Sequence, residues 1–275
     1  MATDLVLSAT KNRVTTLTMN DPRRLNGWTT EMMHALRAAL ARAAADDATA
    51  VVVLTGSGRY YSAGVNLSGT LSLGHPETLR QQIVTHNQAL FDLFLDFNKP
   101  MLIAVNGPAI GATVTSATLC DGVIAGTSAT FSTPFHRLGV TPEGCSSELF
   151  ARLMGAQNAE RMLGREGFTP TAAQAKEIGL ITDVVSDDAL LTTAQTIAEG
   201  WAKEGRARAF PCGFSKDELK AINARESVVL ASAFLGSRFL TGQFKFLAKK
   251  KKAGPALMFL TLRLSRPLWS RLLRG

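Results

Sequence analysis

Two short, uninterrupted apolar runs constrain the fold most: Val51-Val52-Val53-Leu54-Thr55 and Met101-Leu102-Ile103-Ala104-Val105-Asn106, each followed at once by a glycine. Runs this short, with no polar alternation, read as buried strands rather than helices. Between them, Pro76 opens a helical stretch in which Leu79, Ile83, Leu90, Leu93, Phe94 and Phe97 keep one face, and Pro100 closes it. Upstream, Leu5–Met19 reads as a strand pair turning at Lys11-Asn12, followed by an Ala-rich helix capped by Thr29 or Thr30 and ending near Ala45. Downstream come a helix over Gly111–Cys120, strands Gly122–Ala125 and Thr130–Ser132, and a helix from about Cys145 to Met154. After Leu190 the periodicity is almost wholly helical. Strands alternating with helices predict an α/β layered fold rather than a barrel of hairpins.

Charge narrows the function. The net charge is +8, but ten of the 30 Lys and Arg lie beyond Glu226, where no Asp or Glu occurs; residues 1–226 hold 20 basic residues against all 22 acidic ones. The body therefore offers no basic groove, and a nucleic-acid partner is not expected. Cys120, Cys145 and Cys212 are widely spaced without a CxxC pair, which predicts neither a zinc site nor a disulfide framework and suits a reducing compartment. His34, His75, His86 and His136 show no metal-ligand spacing, and no G-x-S-x-G elbow occurs. No signal-peptide core and no spanning apolar run is visible.

Each buried strand ends in a small-residue turn. Gly56-Ser57-Gly58-Arg59-Tyr60-Tyr61 fails the G-x-G-x-x-G pattern at Tyr61, which leaves Ser62-Ala63-Gly64 as a turn able to present backbone N–H groups. Asn106-Gly107-Pro108-Ala109-Ile110-Gly111-Ala112 is a second turn, and it opens a helix whose N-terminal N–H groups suit an oxyanion. Two such turns at one sheet edge could aim one N–H each at a single oxygen.

With these turns, Asn20-Asp21-Pro22, Lys99-Pro100, Cys120-Asp121 and Ala129-Thr130-Phe131 complete an ordered series over roughly residues 5–245 that resembles the enoyl-CoA hydratase/isomerase, or crotonase, superfamily. The resemblance implies a crotonase fold, a spiral of ββα units with a C-terminal helical oligomerisation region. It divides the chain into an α/β core (1–190), a helical region (191–248) and a basic amphipathic tail (249–275). It implies an acyl-CoA substrate, with coenzyme A carried by the substrate rather than held as a cofactor. It places the oxyanion N–H groups on Val65 and Ala112, flanked by Ala63, Gly64, Asn66, Leu67 and Gly111. It also puts the adenine end near Arg24, Leu25 and Asn26. Asn66 stands where the family usually has aspartate.

Hydratases of the family use two glutamates, whose positions here hold Thr115 and Phe135, neither able to transfer a proton near neutral pH. One acid remains: Glu143, in Thr141-Pro142-Glu143-Gly144-Cys145-Ser146-Ser147, just before a helix. The same residue type also favours a helix first turn for electrostatic reasons alone. Thr133-Pro134-Phe135 followed by this motif resembles the peroxisomal-type Δ3,Δ2-enoyl-CoA isomerase branch, in which this glutamate is the sole acid/base. The alternatives are a dienoyl-CoA isomerase, a weak hydratase, or a non-catalytic acyl-CoA-binding protein.

The family also implies a homotrimer or dimer of trimers, with Phe234, Phe239, Phe244 and Phe246 as the apolar face a lone subunit would expose. In the tail, a helical projection puts Arg263, Arg266, Arg271 and Arg274 opposite Leu264, Leu268, Trp269, Leu272 and Leu273, after Lys249–Lys252. That pattern fits either a helix lying on an anionic membrane, kinked at Pro267, or a helix packed on its own subunit or a neighbour. The sequence ends Leu273-Arg274-Gly275 rather than in a peroxisomal tripeptide, so the compartment stays open between a peroxisome-like organelle, the mitochondrion and the cytosol.

Overall fold

The computed structural model describes residues 4–66 and 74–270. β1 (Val6–Lys11) and β2 (Val14–Met19) pair antiparallel around Asn12 and Arg13, whose φ of 50° and 66° put the turn one residue later than the sequence implies. β3 (Val51–Gly56), β4 (Met101–Val105), β6 (Gly122–Gly126) and β8 (Asp183–Val185) add in parallel, in the order β1-β2-β3-β4-β6-β8. The continuous apolar runs follow from this: successive side chains alternate faces, and both faces are covered. Val52 and Leu54 pack into the main core with Met32, Leu36 and Leu40 of α1 (Thr30–Ala45), whereas Val51 and Val53 pack against Leu190, Ala194 and Ala198 of α7 (Leu190–Lys203).

A second, two-stranded sheet is made of β5 (Ala109–Ile110) and β7 (Phe131–Ser132), and a bridge from Ser62 to Ala109 extends it. Three successive parallel strands thus step onto a short second rung and then enter a helix: β3 leads to Ser62 and α2 (Pro76–Leu95), β4 to β5 and α3 (Ala112–Ala117), β6 to β7 and α4 (Phe135–Leu138). This is the spiral of ββα units. It stacks the ends of β3 and β4, and with them the two glycine turns, side by side. α5 (Ser146–Leu163) breaks at Gly155, with φ 80° and ψ 152°, next to the expected end at Met154. α6 (Ala172–Glu177) precedes β8.

α8 (Lys216–Phe234), α9 (Ser237–Lys249) and α10 (Ala253–Trp269) close the chain. Phe234 stacks on Phe239 at 4.5 Å, and Phe259 of α10 meets Phe239 edge-on at 6.1 Å, in a cluster that also takes Leu79 and Ile83 of α2. Phe234 and Phe239 are therefore not part of an open face: 8% and 0% exposed, they are core, and of the four phenylalanines only Phe246 is exposed.

Of the two readings of the tail, the structure has the helix packed on its own subunit. α10 packs on α9 through Ala256, Phe259 and Leu262 and runs through Pro267, which cannot donate to the Arg263 carbonyl one turn back. Arg263 Nε donates to Thr241 Oγ1 at 3.2 Å and Arg266 Nε to the Leu235 carbonyl at 3.0 Å, so these arginines serve their own subunit, while Leu257, Leu264 and Leu268 face outward. Arg271, Leu272, Leu273 and Arg274 lie outside the described residues. Phe259→Ala is expected to cost ~3–5 kcal/mol of stability, read as a lower denaturant midpoint at unchanged slope. A midpoint equal to that of the parent would mean that α10 is not part of the folded unit. No helix among the described residues is long and apolar enough to cross a membrane.

Candidate active site

The first turn is held by a buried amide. The Asn26 carboxamide accepts the Asp21 N–H at 2.9 Å and donates to the carbonyls of Ser57 (2.9 Å) and Tyr60 (2.8 Å). Ser62 Oγ donates to the Asn26 carbonyl at 2.7 Å and accepts the Gly64 N–H at 3.1 Å. Gly64 sits at φ 83°, and a Cβ there would lie 2.5 Å from the Ile110 carbonyl oxygen, so the approach of the two turns requires glycine. Ser62 and Ile110 join the turns directly: Ser62 N–H donates to the Pro108 carbonyl at 3.3 Å and Ile110 N–H to the Ser62 carbonyl at 3.1 Å. On the second turn, Gly111 donates to the Ser132 carbonyl at 2.7 Å with φ 64° and ψ −127°, and α3 begins at the next residue.

This arrangement sets aside two donors. The bridge between Trp28 and Val65 uses the Gly64 carbonyl and the Asn66 N–H, which leaves the Val65 N–H out of that ladder. Ala112 is the first residue of α3, and its N–H has no acceptor within the helix. Both residues line one cavity of about 680 Å3, together with Ala63, Gly64, Asn66 and Gly111. Leu230, Phe234, Phe246 and Leu247 give that cavity an apolar wall from α8 and α9, and Phe135 adds to it.

Glu143 lines the same cavity and is the one carboxylate among the described residues that do so. Its side chain is partly exposed to the cavity, yet the surrounding protein mass pushes the carboxyl up to about 8. Burial is the main cause, and the nearby negative charge of Glu226 adds to it. A carboxylate with this proton affinity, sharing a largely apolar cavity with Val65 and Ala112, has the chemistry to take a proton from carbon, and backbone N–H groups of that kind are suited to stabilising an oxyanion.

The other sequence candidates fall into place around this geometry. Thr115 is buried beneath the second turn, donates to the Ala112 carbonyl at 3.3 Å and is absent from the cavity wall. Arg24, Leu25 and Asn26 do not line it either: Arg24 is exposed beside Asp21, Leu25 gives its carbonyl to the Ala63 N–H, and the Asn26 amide is spent on the turn. Leu67 lies outside the described residues. Sequence reasoning missed Gln243 and the basic residues Arg137, Arg238, Lys250 and Lys252 on the cavity wall, because nothing local shows that α9 folds back over the turns. It also missed Glu226, although Leu219, Ile222, Asn223, Glu226, Ser227 and Leu230 follow the spacing of a buried helix face. Among the described residues no group of three or more His, Cys, Asp or Glu could hold a metal ion.

The family model described as enoyl-CoA hydratase/isomerase matches residues 9–223. The chain is 34% identical to human enoyl-CoA delta isomerase 2 over 90% of its own length, and spans 64% of the length of that relative. It is 34% identical to the 2,3-dehydroadipyl-CoA hydratase of Escherichia coli over 73% of this chain and 76% of that one. Among solved structures, an enoyl-CoA hydratase/isomerase from Pseudoalteromonas atlantica superposes with a TM-score of 0.74 at 30% identity, covering 89% of this chain and 97% of the other.

Proposed function

The chain belongs to the enoyl-CoA hydratase/isomerase family and has the crotonase fold, and from that premise we propose that it is a Δ3,Δ2-enoyl-CoA isomerase, converting a 3-enoyl-CoA to the 2-trans-enoyl-CoA during breakdown of unsaturated fatty acids. The observation that carries the reading is Glu143, the single carboxylate among the described residues of the cavity wall. Hydration needs two groups to orient water and supply a proton; with Thr115 off the cavity wall and Phe135 apolar, no second carboxylate is present among the described residues of the wall. Moving a double bond needs one. The Val65 and Ala112 N–H groups hold the thioester oxygen, and Glu143 removes a proton from C2. The electron pair passes into the thioester as an enolate, and the proton returns at C4 as the double bond moves into conjugation. The apolar wall from α8 and α9 takes the acyl chain, and Arg137, Arg238, Lys250 and Lys252 supply positive charge for the phosphates of coenzyme A.

The test is a turnover assay with a 3-enoyl-CoA, followed through the absorbance of the conjugated product; a thioester that binds without conjugation would leave only the acyl-CoA-binding alternative. The pH dependence is fixed in sign. Glu143 must start ionised, so kcat/KM is expected to rise with pH at about tenfold per unit and to level off near the midpoint of the free-enzyme base, about 8. A profile already flat between pH 5 and 7 would mean that the base ionises below 5 and that burial does not raise Glu143 in the free enzyme.

A further inference from the structure

Glu226 is the last acidic residue of the chain, and it is 6% exposed on the inner face of α8. Both of its oxygens are engaged by the start of α5: Oε2 accepts the Cys145 N–H at 2.6 Å and Oε1 the Ser147 N–H at 2.8 Å. α5 has no side-chain cap of its own, since Cys145 stands at its N-cap in the left-handed region at φ 66°. Glu226 therefore supplies from another helix the acceptors that this helix end needs. The turn it secures begins with the base. Glu143 and Cys145 flank Gly144, whose φ of 66° and contact with Phe91 and Thr115 leave no room for a side chain. The Glu143 carbonyl is tied in turn by Ser146 Oγ at 2.8 Å.

This geometry also decides which of the two acids holds the proton. A neutral Glu226 would point its O–H at a backbone N–H, whereas a carboxylate satisfies both donors. Burial leaves its proton affinity above that of an ordinary carboxylate, and the hydrogen bonds from Ser147 and Cys145 offset part of the rise. Of the other charges around the pair, the two nearest acids on the packed helices are already matched, and the cations lie on the cavity side of Glu143. Glu148 of α5 is bound by Arg225 at 2.6 Å, and Asp92 of α2 has Asn223 at 3.1 Å and Lys220 at 3.8 Å. Arg137, Arg238, Lys250 and Lys252 belong to the cavity wall, and the thiol of Cys145 is buried and given to the Leu219 carbonyl at 3.2 Å.

We propose that Glu226 is a positioning residue for the base: by accepting the Cys145 and Ser147 N–H groups it pins the Glu143-Gly144-Cys145 turn and keeps a negative charge next to that turn. The proposal rests on the reading of Glu143 as the proton shuttle. It adds a residue that touches neither substrate nor cavity.

The test uses the full-length protein with carbon-13 at the glutamate side-chain carboxyls, titrated by NMR, with Glu143→Gln and Glu226→Gln assigning the two resonances. In the parent, Glu226 is expected to lose its proton at lower pH than Glu143; the reverse order overturns the proposal, and this measurement needs no variant to be stable at every pH. In Glu226→Gln the Glu143 midpoint is expected to fall by ~1 unit or more, the acid limb of kcat/KM to move with it, and the plateau rate to drop several-fold. In Glu226→Asp, which retains charge but shortens reach, the midpoint is expected to stay near that of the parent while kcat falls. A Glu143 midpoint unchanged in Glu226→Gln, or lowered equally by both substitutions, overturns the proposal. Absence of isomerase turnover in the parent would instead count against the isomerase reading, and the NMR midpoints would still decide whether Glu226 charges the site.

Discussion

Glu143→Gln is expected to lower isomerase turnover by at least ~10³-fold while changing acyl-CoA affinity little. Glutamine has nearly the same shape and polarity, so the cavity and the turn at Gly144 should persist. What it removes is the capacity to accept a proton. General acid–base assistance is typically worth ~10²–10⁴-fold, and here one residue would perform both the removal at C2 and the return at C4, with no second carboxylate among the described wall residues to take over. The proton affinity of Glu143, pushed up to about 8 by burial and by Glu226, matches it to a task near neutral pH. Thioester binding should survive because the donors assigned to it are backbone N–H groups on Val65 and Ala112. Glu148→Gln is the control. That residue is exposed and engaged with Arg225 at 2.6 Å, and its loss should leave turnover within a few-fold of the parent. Retention of most activity in Glu143→Gln would sink the single-glutamate assignment.

The second large effect is expected at Gly64. Replacing it by alanine places a Cβ 2.5 Å from the Ile110 carbonyl oxygen, at a φ of 83° that an L side chain adopts only at a cost of roughly 1–2 kcal/mol. Neither neighbour can yield easily. Ile110 is fixed through its N–H to Ser62 and through the β5–β7 pairing, and the Gly64 carbonyl is held by the Trp28 N–H at 2.8 Å. The strand bridge to Trp28 and the seam between the turns would have to separate, and the Val65 N–H would swing away from the Ala112 N–H. Loss of one oxyanion donor typically costs ~10²–10³ in kcat, so Gly64→Ala should lose that much turnover together with several degrees of Tm. Unlike Glu143→Gln, it should also weaken binding of the unreactive saturated acyl-CoA. A variant with normal kcat and a lowered Tm would show that the first turn supports the fold without serving the chemistry.

The sheet was legible because its central strands carry no ambiguity: Val51–Thr55 and Met101–Val105 are apolar on both sides, and only a doubly covered strand tolerates that. β5, β8, α4 and α6 were not visible. Each spans a few residues, and its conformation is set by partners far along the chain, such as Ser62 for β5. In the site, the glycine turns and Glu143 stood out because backbone geometry and a lone acid leave local marks. Asn26 did not betray its work, since a short polar residue after Asp21-Pro22 looks the same whether it meets a ligand or, as here, three backbone groups. For the tail, helical projection separated Arg263 and Arg266 from Leu264 and Leu268 correctly. It could not tell which side turns inward, and Phe259, which decides it, belongs to a cluster gathered from α2, α8 and α9.

The two donors assigned to the thioester are peptide groups, so no codon specifies them. A saturation scan of this gene would see the donors themselves only through proline, which removes the N–H; other changes at the buried Ala112 would report packing, and the hole would show instead at Gly64, Gly111 and Asn26, none of which donates the hydrogen bond. Relatives could therefore exchange the side chains at the donor positions without losing the hole, as far as the packing around Ala112 and the exclusion of proline allow. They could lose it at a stroke by gaining a single methyl group at the wrong glycine.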